Sequence, residues 1–138
     1  ASRGQFLVIL DEGGAKRDLY AQHWRARPMF INVARNHPAA AVMIINDPVR
    51  AMAQIQKLVQ QGYMVRTRAD ADTQEARSND TTRREAAFKS GAQAVSTDYY
   101  LPGQSFDNDY VVKIPGEIRC NPISAGLLSA ERCQGPFE

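Results

Sequence analysis

Two short apolar runs, each ending in charged residues and separated by a capped helical segment, constrain this chain more than any other feature. The stretch from Met64 to Tyr100 reads MVRTRADADTQEARSNDTTRREAAFKSGAQAVSTDYY. Tyr63 to Thr67 has strand character and runs into a carboxylate-rich loop. Thr82 with Glu85 has the spacing of a capping box, which opens a helix that stops near Gly91. Ala92 to Thr97 is again strand-like and closes in Thr-Asp-Tyr. Strand, helix and strand in this order pair in parallel, because a crossover returns the chain to the same end of the sheet. Charged groups then collect just past the C-terminal ends of the strands, where parallel sheets build ligand sites.

The rest of the chain keeps the same rhythm. Gln5 to Leu10 is a continuous apolar run stopped by Asp-Glu-Gly-Gly, and it reads as a fully buried parallel strand. A short helix is expected from Ala15 to Trp24, and further strands at Met29–Val33 and Ala41–Ile45. The intervening ARNHPAA is short for a parallel crossover. The next helix has Asp47 as N-cap, Pro48 at its first position and Gly62 as its stop. Val49, Met52, Ile55, Leu58 and Val59 line one face of it at helical spacing. Leu101–Asp109 reads as a surface loop, and Tyr110–Ile114 as an extended piece outside the main sheet. The predicted fold class is therefore α/β with a parallel sheet.

Composition excludes several classes of function. The 138 residues fit one domain or segment, and 43% hydrophobic content is ordinary for a globular chain. A formal charge of +2 and a pI near 8.7, with no polybasic run, argue against nucleic acid as a partner. No apolar stretch approaches the ~18 residues of a membrane span, and ASRGQF lacks a signal-peptide pattern. Because residue 1 stands almost against a strand, the start reads as a cleavage or dissection boundary. The spacing of Cys120 and Cys133 is unlike a short CxxC motif. The preferred use is a disulfide closing the tail at 120–133, stabilising by about 3 kcal/mol and implying a secreted or periplasmic protein; the alternative is two unpaired thiols.

Candidate chemistry sits at the strand ends. Arg66 and Arg68 are two apart on a strand and share a face, with Met64 below them. Two readings stand: a phosphate or inositol-hydroxyl clamp, or structural ion pairs with Asp70, Asp72 or Asp98. Asp70, Asp72, Glu75 and Asp80 do not form an EF-hand, since Glu75 and Thr81 occupy the places of its glycine and closing glutamate. They read as a solvated loop holding its own turn. Asn46 could face the same mouth, while Asp47 is a cap. Asp11 and Glu12 close the first strand and are candidate metal or substrate ligands, the alternative being loop capping near Gly13-Gly14. Asp98 and Tyr99 close the last one, a carboxylate and a phenol suited to polyol hydroxyls, with packing an equal alternative for Tyr99. His23 and His37 stand at no strand end and read as non-catalytic, and no Ser–His–Asp order or phosphate-binding glycine loop occurs.

These residues resemble the C-terminal part of the calcium-dependent phosphoinositide phospholipase C-like proteins of the secreted microbial type. The resemblance rests on LDEGG..KR from Leu10, IND from Ile45, VRTRADADT from Val65 and EAR.NDTTRREAA from Glu75. SGAQ.VSTDY from Ser90 and the RCNP of Arg119 to Pro122 extend it over nearly the whole chain. A weaker echo reaches the glycerophosphodiester phosphodiesterases. The resemblance implies a phospholipase C-like (β/α)₈ TIM barrel. Such barrels usually need at least ~200 residues, so this chain corresponds to about strands 4–8.

It also implies a phosphoric diester hydrolase or lyase with calcium as cofactor, acting transiently at a membrane surface. The inositol 2-hydroxyl of phosphatidylinositol attacks phosphorus, and diacylglycerol leaves. Two histidines from the first strands serve as base and acid, and they are expected upstream of residue 1. On this reading Arg66, Arg68, Asp98, Tyr99 and Asn46 orient inositol and phosphate. The segment is inactive without the missing N-terminal half-barrel. The alternative is a non-catalytic half-barrel module binding phosphorylated sugars or headgroups, with a second copy covering its exposed sheet edges.

Overall fold

Alternation along one strand organises the structured part of this chain. In β4 (Met64–Arg68) Val65 and Thr67 are fully buried, while Met64, Arg66 and Arg68 on the opposite face are half-buried. A strand turns successive side chains to opposite sides, so MVRTR writes a buried face and a cationic face in five residues. The computed structural model describes residues 6–103, 106–114 and 120–124. The sequence reads as one domain or segment; the structure divides into two compact units, residues 1–44 and 45–138.

The first unit is α/β on a small scale. β1 (Ile9–Leu10) and β2 (Phe30–Ile31) pair in parallel, with Ile9 opposite Phe30. Between them α1 (Gly14–Gln22) is followed by a 3₁₀ turn at Trp24–Ala26, where the sequence predicts helix as far as Trp24. In β3 (Val42–Ile44) Val42 forms a parallel bridge to Asn32, and the Ile44 N–H donates to Asn32 Oδ1 at 3.2 Å. The strand expected to be fully buried from Gln5 differs. Phe6 is 97% exposed and Leu7 and Val8 each 49%, because only β2 pairs with β1 among the described residues. No residue of α1 is buried either.

The second unit carries the better-built core. β4 pairs in parallel with β5 (Ala94–Ser96), placing Arg66 opposite Ala94 and Arg68 opposite Ser96. Two helices, α2 (Met52–Gln60) and α4 (Thr82–Lys89), pack on β4. The stripe predicted for α2 is realised by Ile55, Leu58 and Val59, each buried and each stabilising by about 1.5–3 kcal/mol. Asp47 caps this region as expected. Its Oδ1 accepts the Val49 and Arg50 N–H groups, both at 3.1 Å, although the regular helix begins only at Met52. Gly62 ends it with φ +87°.

Two local expectations fail for stated reasons. The capping box of Thr82 and Glu85 is not formed. Thr81 occupies the N-cap position, which moves Glu85 one place too far along to reach back. Asp80 does the capping, its Oδ1 accepting the Thr82 N–H at 2.9 Å, and Glu85 pairs with Arg84 at 2.9 Å. The loop between β4 and α4 also contains a short helix, α3 (Gln74–Ser78), where the sequence predicts solvated turns.

Tyr110–Ile114 forms no strand, as expected, yet it is not peripheral. The Val112 N–H donates to Tyr99 O at 2.8 Å, and Tyr110 is buried with its ring edge-on to Tyr99 at 5.6 Å. Of the predicted disulfide, Cys133 lies outside the described residues; Cys120 is not a free thiol. Asn121 Nδ2 donates to Gly91 O at 2.5 Å and its Oδ1 accepts the Ile123 N–H, seating this segment on the end of α4. Gly91 has φ +75°, and an added Cβ would stand 2.3 Å from Ile123 Cγ1. Gly91→Ala should therefore cost about 1–3 kcal/mol of unfolding free energy in urea melts, and an unchanged midpoint would show the contact to be loose.

Candidate active site

The parallel register brings the half-buried face of β4 beside Ala94 and Ser96, so Arg66, Arg68 and Ser96 look out on one side of the sheet. The Ser96 hydroxyl donates to Thr67 O at 3.2 Å, tying the strands at the arginine level. Arg66 Nη1 donates to Asn46 Oδ1 at 2.7 Å, which joins two of the residues singled out from the sequence. Among the described residues the Arg68 guanidinium makes no hydrogen bond or ion pair. Two guanidinium groups on one strand face repel, and an anion between them relieves that repulsion.

Beyond β4 the chain turns sharply. Asp72 and Thr73 have φ +52° and +65°, which for a β-branched threonine is a strained position. Asp70 and Glu75 hold this turn, and neither is solvated as the sequence reading expected: both are buried. The Asp70 carboxylate accepts the Thr97 hydroxyl and, at 3.3 Å, the Asp98 N–H, so it latches the end of β4 to the segment after β5. Asp70 thus bonds to the Thr97–Asp98 segment, whereas the sequence offered it as an ion-pair partner for the arginines. Glu75 Oε2 accepts the Ala71 N–H at 2.8 Å, and its Oε1 takes Arg83 Nε at 2.6 Å. Arg83 Nη1 goes on to Asn46 O at 3.2 Å.

Asp98 is exposed, and of the two readings open for Tyr99 the structure has packing. Tyr99 is 8% exposed, in a cluster with Ala69, Ala76, Tyr110 and Val112. It packs the core and does not line the mouth. The Tyr110 hydroxyl donates to Ala69 O at 3.2 Å. Burial pushes this phenol up to about 12, helped by the charge of Asp70 and Glu75.

In the first unit Asp11 and Glu12 follow β1, and Glu12 Oε1 is 3.1 Å from Lys16 Nζ. His23 is exposed in the turn leading toward β2, and His37 Nδ1 accepts the Ala39 N–H at 3.0 Å. Sequence reasoning singled out Asp70 and Glu75 without their actual partners, and it missed Arg83, Thr97 and Ser96 altogether.

The second unit thus defines an α/β element with a cationic strand face at the C-terminal ends of a parallel pair. The sequence profile of the family described as phosphoinositide phospholipase C, Ca²⁺-dependent, matches residues 1–122, and the chain belongs to this family. No curated protein and no solved structure matches it significantly. The family description names calcium. Among the described residues no group of three or more His, Cys, Asp or Glu side chains could hold a metal ion, and Glu12 is engaged by Lys16. The donors described here do not by themselves fit a calcium site, so no step is routed through the ion.

Glu75 is one source of pH sensitivity here, beside Asp80, whose carboxyl is also held below the usual range by its bonds to Thr82. Burial alone would raise the Glu75 carboxyl, but the Ala71 and Glu75 backbone N–H groups and Arg83 outweigh it and hold the pKa below 4.5. A depressed carboxylate contributes stability that is present above its unfolded pKa and lost as pH falls through the folded one. Thermal melts should therefore show a loss of stability on acidification below about pH 4.5 that is smaller in Glu75→Gln. Identical pH profiles for the two proteins would contradict this.

Proposed function

We propose that the chain orients inositol and phosphate for phosphodiester cleavage, as the C-terminal portion of a phospholipase C-like (β/α)₈ barrel. The observation that carries this reading is the placement of Arg66 and Arg68 on one half-buried face of β4, beside Ser96 and with Asp98 exposed beyond it. Guanidinium groups suit phosphoryl oxygens, which they can engage through paired N–H donors, and a carboxylate accepts sugar hydroxyls. Asn46 fixes the direction of one Arg66 nitrogen.

In the reaction the family implies, the inositol 2-hydroxyl loses its proton as it bonds to phosphorus, and the diacylglycerol oxygen leaves and gains one. Charge grows on the phosphoryl oxygens in the transition state, and Arg66 and Arg68 are the groups positioned to stabilise it. The proton transfers are assigned to neither His23 nor His37, since the first is exposed in a turn and the second is bonded to Ala39. The reading carries with it an exported protein whose tail is closed by a Cys120–Cys133 disulfide. A free thiol on the native protein would remove that part.

Calorimetric titration with myo-inositol 1-phosphate should give saturable binding that weakens at least roughly tenfold in Arg66→Ala, the loss of about one charge-assisted hydrogen bond. The chain by itself should release no inositol phosphate from phosphatidylinositol vesicles. Absence of binding, or equal affinity in the variant, would overturn the assignment.

A further inference from the structure

We infer that Arg83 is a positioning residue for the Arg66 guanidinium and acts on it through Asn46. The Glu75–Arg83 pair is close, at 2.6 Å, with side chains only 10% and 25% exposed. A pair removed from water to this degree is a poor device for stability alone, because desolvation offsets the attraction. What distinguishes this one is the second bond of the same guanidinium, from Nη1 to the Asn46 carbonyl. Asn46 is itself exposed, so packing does not fix it, yet its Oδ1 receives Arg66 Nη1 at 2.7 Å. Arg83 holds the main chain of the residue whose side chain aims Arg66. Glu75 in turn anchors Arg83 to the strained turn after β4 through the Ala71 N–H.

The relay requires arginine. A planar fork reaches a carboxylate and a carbonyl from different nitrogens at once, whereas a lysine ammonium on a flexible stem keeps the charge without that geometry. The binding arm of the following test rests on the proposed function; the spectroscopic arm does not.

Arg83→Lys in the full chain should melt within a few degrees of the parent. The Arg66 side-chain NH signals, resolved while Asn46 restrains the guanidinium, should broaden or merge. Affinity for myo-inositol 1-phosphate should fall roughly tenfold, the equivalent of about one hydrogen bond. Asn46→Ala should do the same, and the double variant should be no weaker than Asn46→Ala alone, since both act through one contact. If Arg83→Lys fails to fold, the neutral pair Glu75→Gln with Arg83→Gln replaces it in both arms. Unchanged Arg66 signals, or losses that add in the double variant, overturn the inference. If the parent binds no inositol phosphate the proposed function falls, and the Arg66 signals still decide the role of Arg83.

Discussion

Everything in the second unit depends on the two-sidedness of β4. Val65 and Thr67 are buried on one face, and α2 and α4 pack on the strand. Burial of Val65 contributes to the core, and the same alternation forces Arg66 and Arg68 onto the other face. The chain cannot keep its core register without presenting two guanidinium groups side by side. A shift of one residue would bury both arginines and expose Val65, which fixes the register strongly. Structure and chemistry are coupled here through strand geometry.

The turn after β4 then converts a cationic face into an ordered site. Asp70 and Glu75 are taken out of water, and each reaches a different part of the mouth. Asp70 holds the backbone leading into Asp98, and Glu75 works through Arg83 on Asn46. Among the described residues neither carboxylate bonds to Arg66 or Arg68; both act on the residues around them. Strain at Asp72 and Thr73 is the accompanying cost, and strain of this kind collects where a site demands unusual backbone.

Much of this was legible in the sequence. The Asp47 cap and Gly62 stop of α2 and the shared face of Arg66 and Arg68 follow from spacing, and the structure has them; of the α2 stripe it has Ile55, Leu58 and Val59, while Val49 precedes the helix and is exposed. The family was legible too, because its motifs lie in strand ends and loops that spell out their residues. The failures have one origin, in that local pattern does not reveal long-range partners. Glu75 looks solvated until Arg83 is brought to it, and Thr82 looks like a cap until Asp80 displaces it. Tyr99 was open to two readings, and only its contacts with Tyr110 and Val112, distant in the sequence, decide for packing. The exposure of Phe6 to Val8 was not foreseeable, because a buried strand and an uncovered one share the same apolar pattern.

The central claim is that the arginine face of β4, framed by Asn46 and the end of β5, is where an inositol phosphate sits. Its most direct test is to map the backbone amide shifts of the full chain as myo-inositol 1-phosphate is added. The account predicts that the perturbed amides cluster at Asn46, Arg66, Arg68, Ser96 and Asp98, with little change in α1. Perturbation concentrated in the first unit, or none in the second, would contradict it.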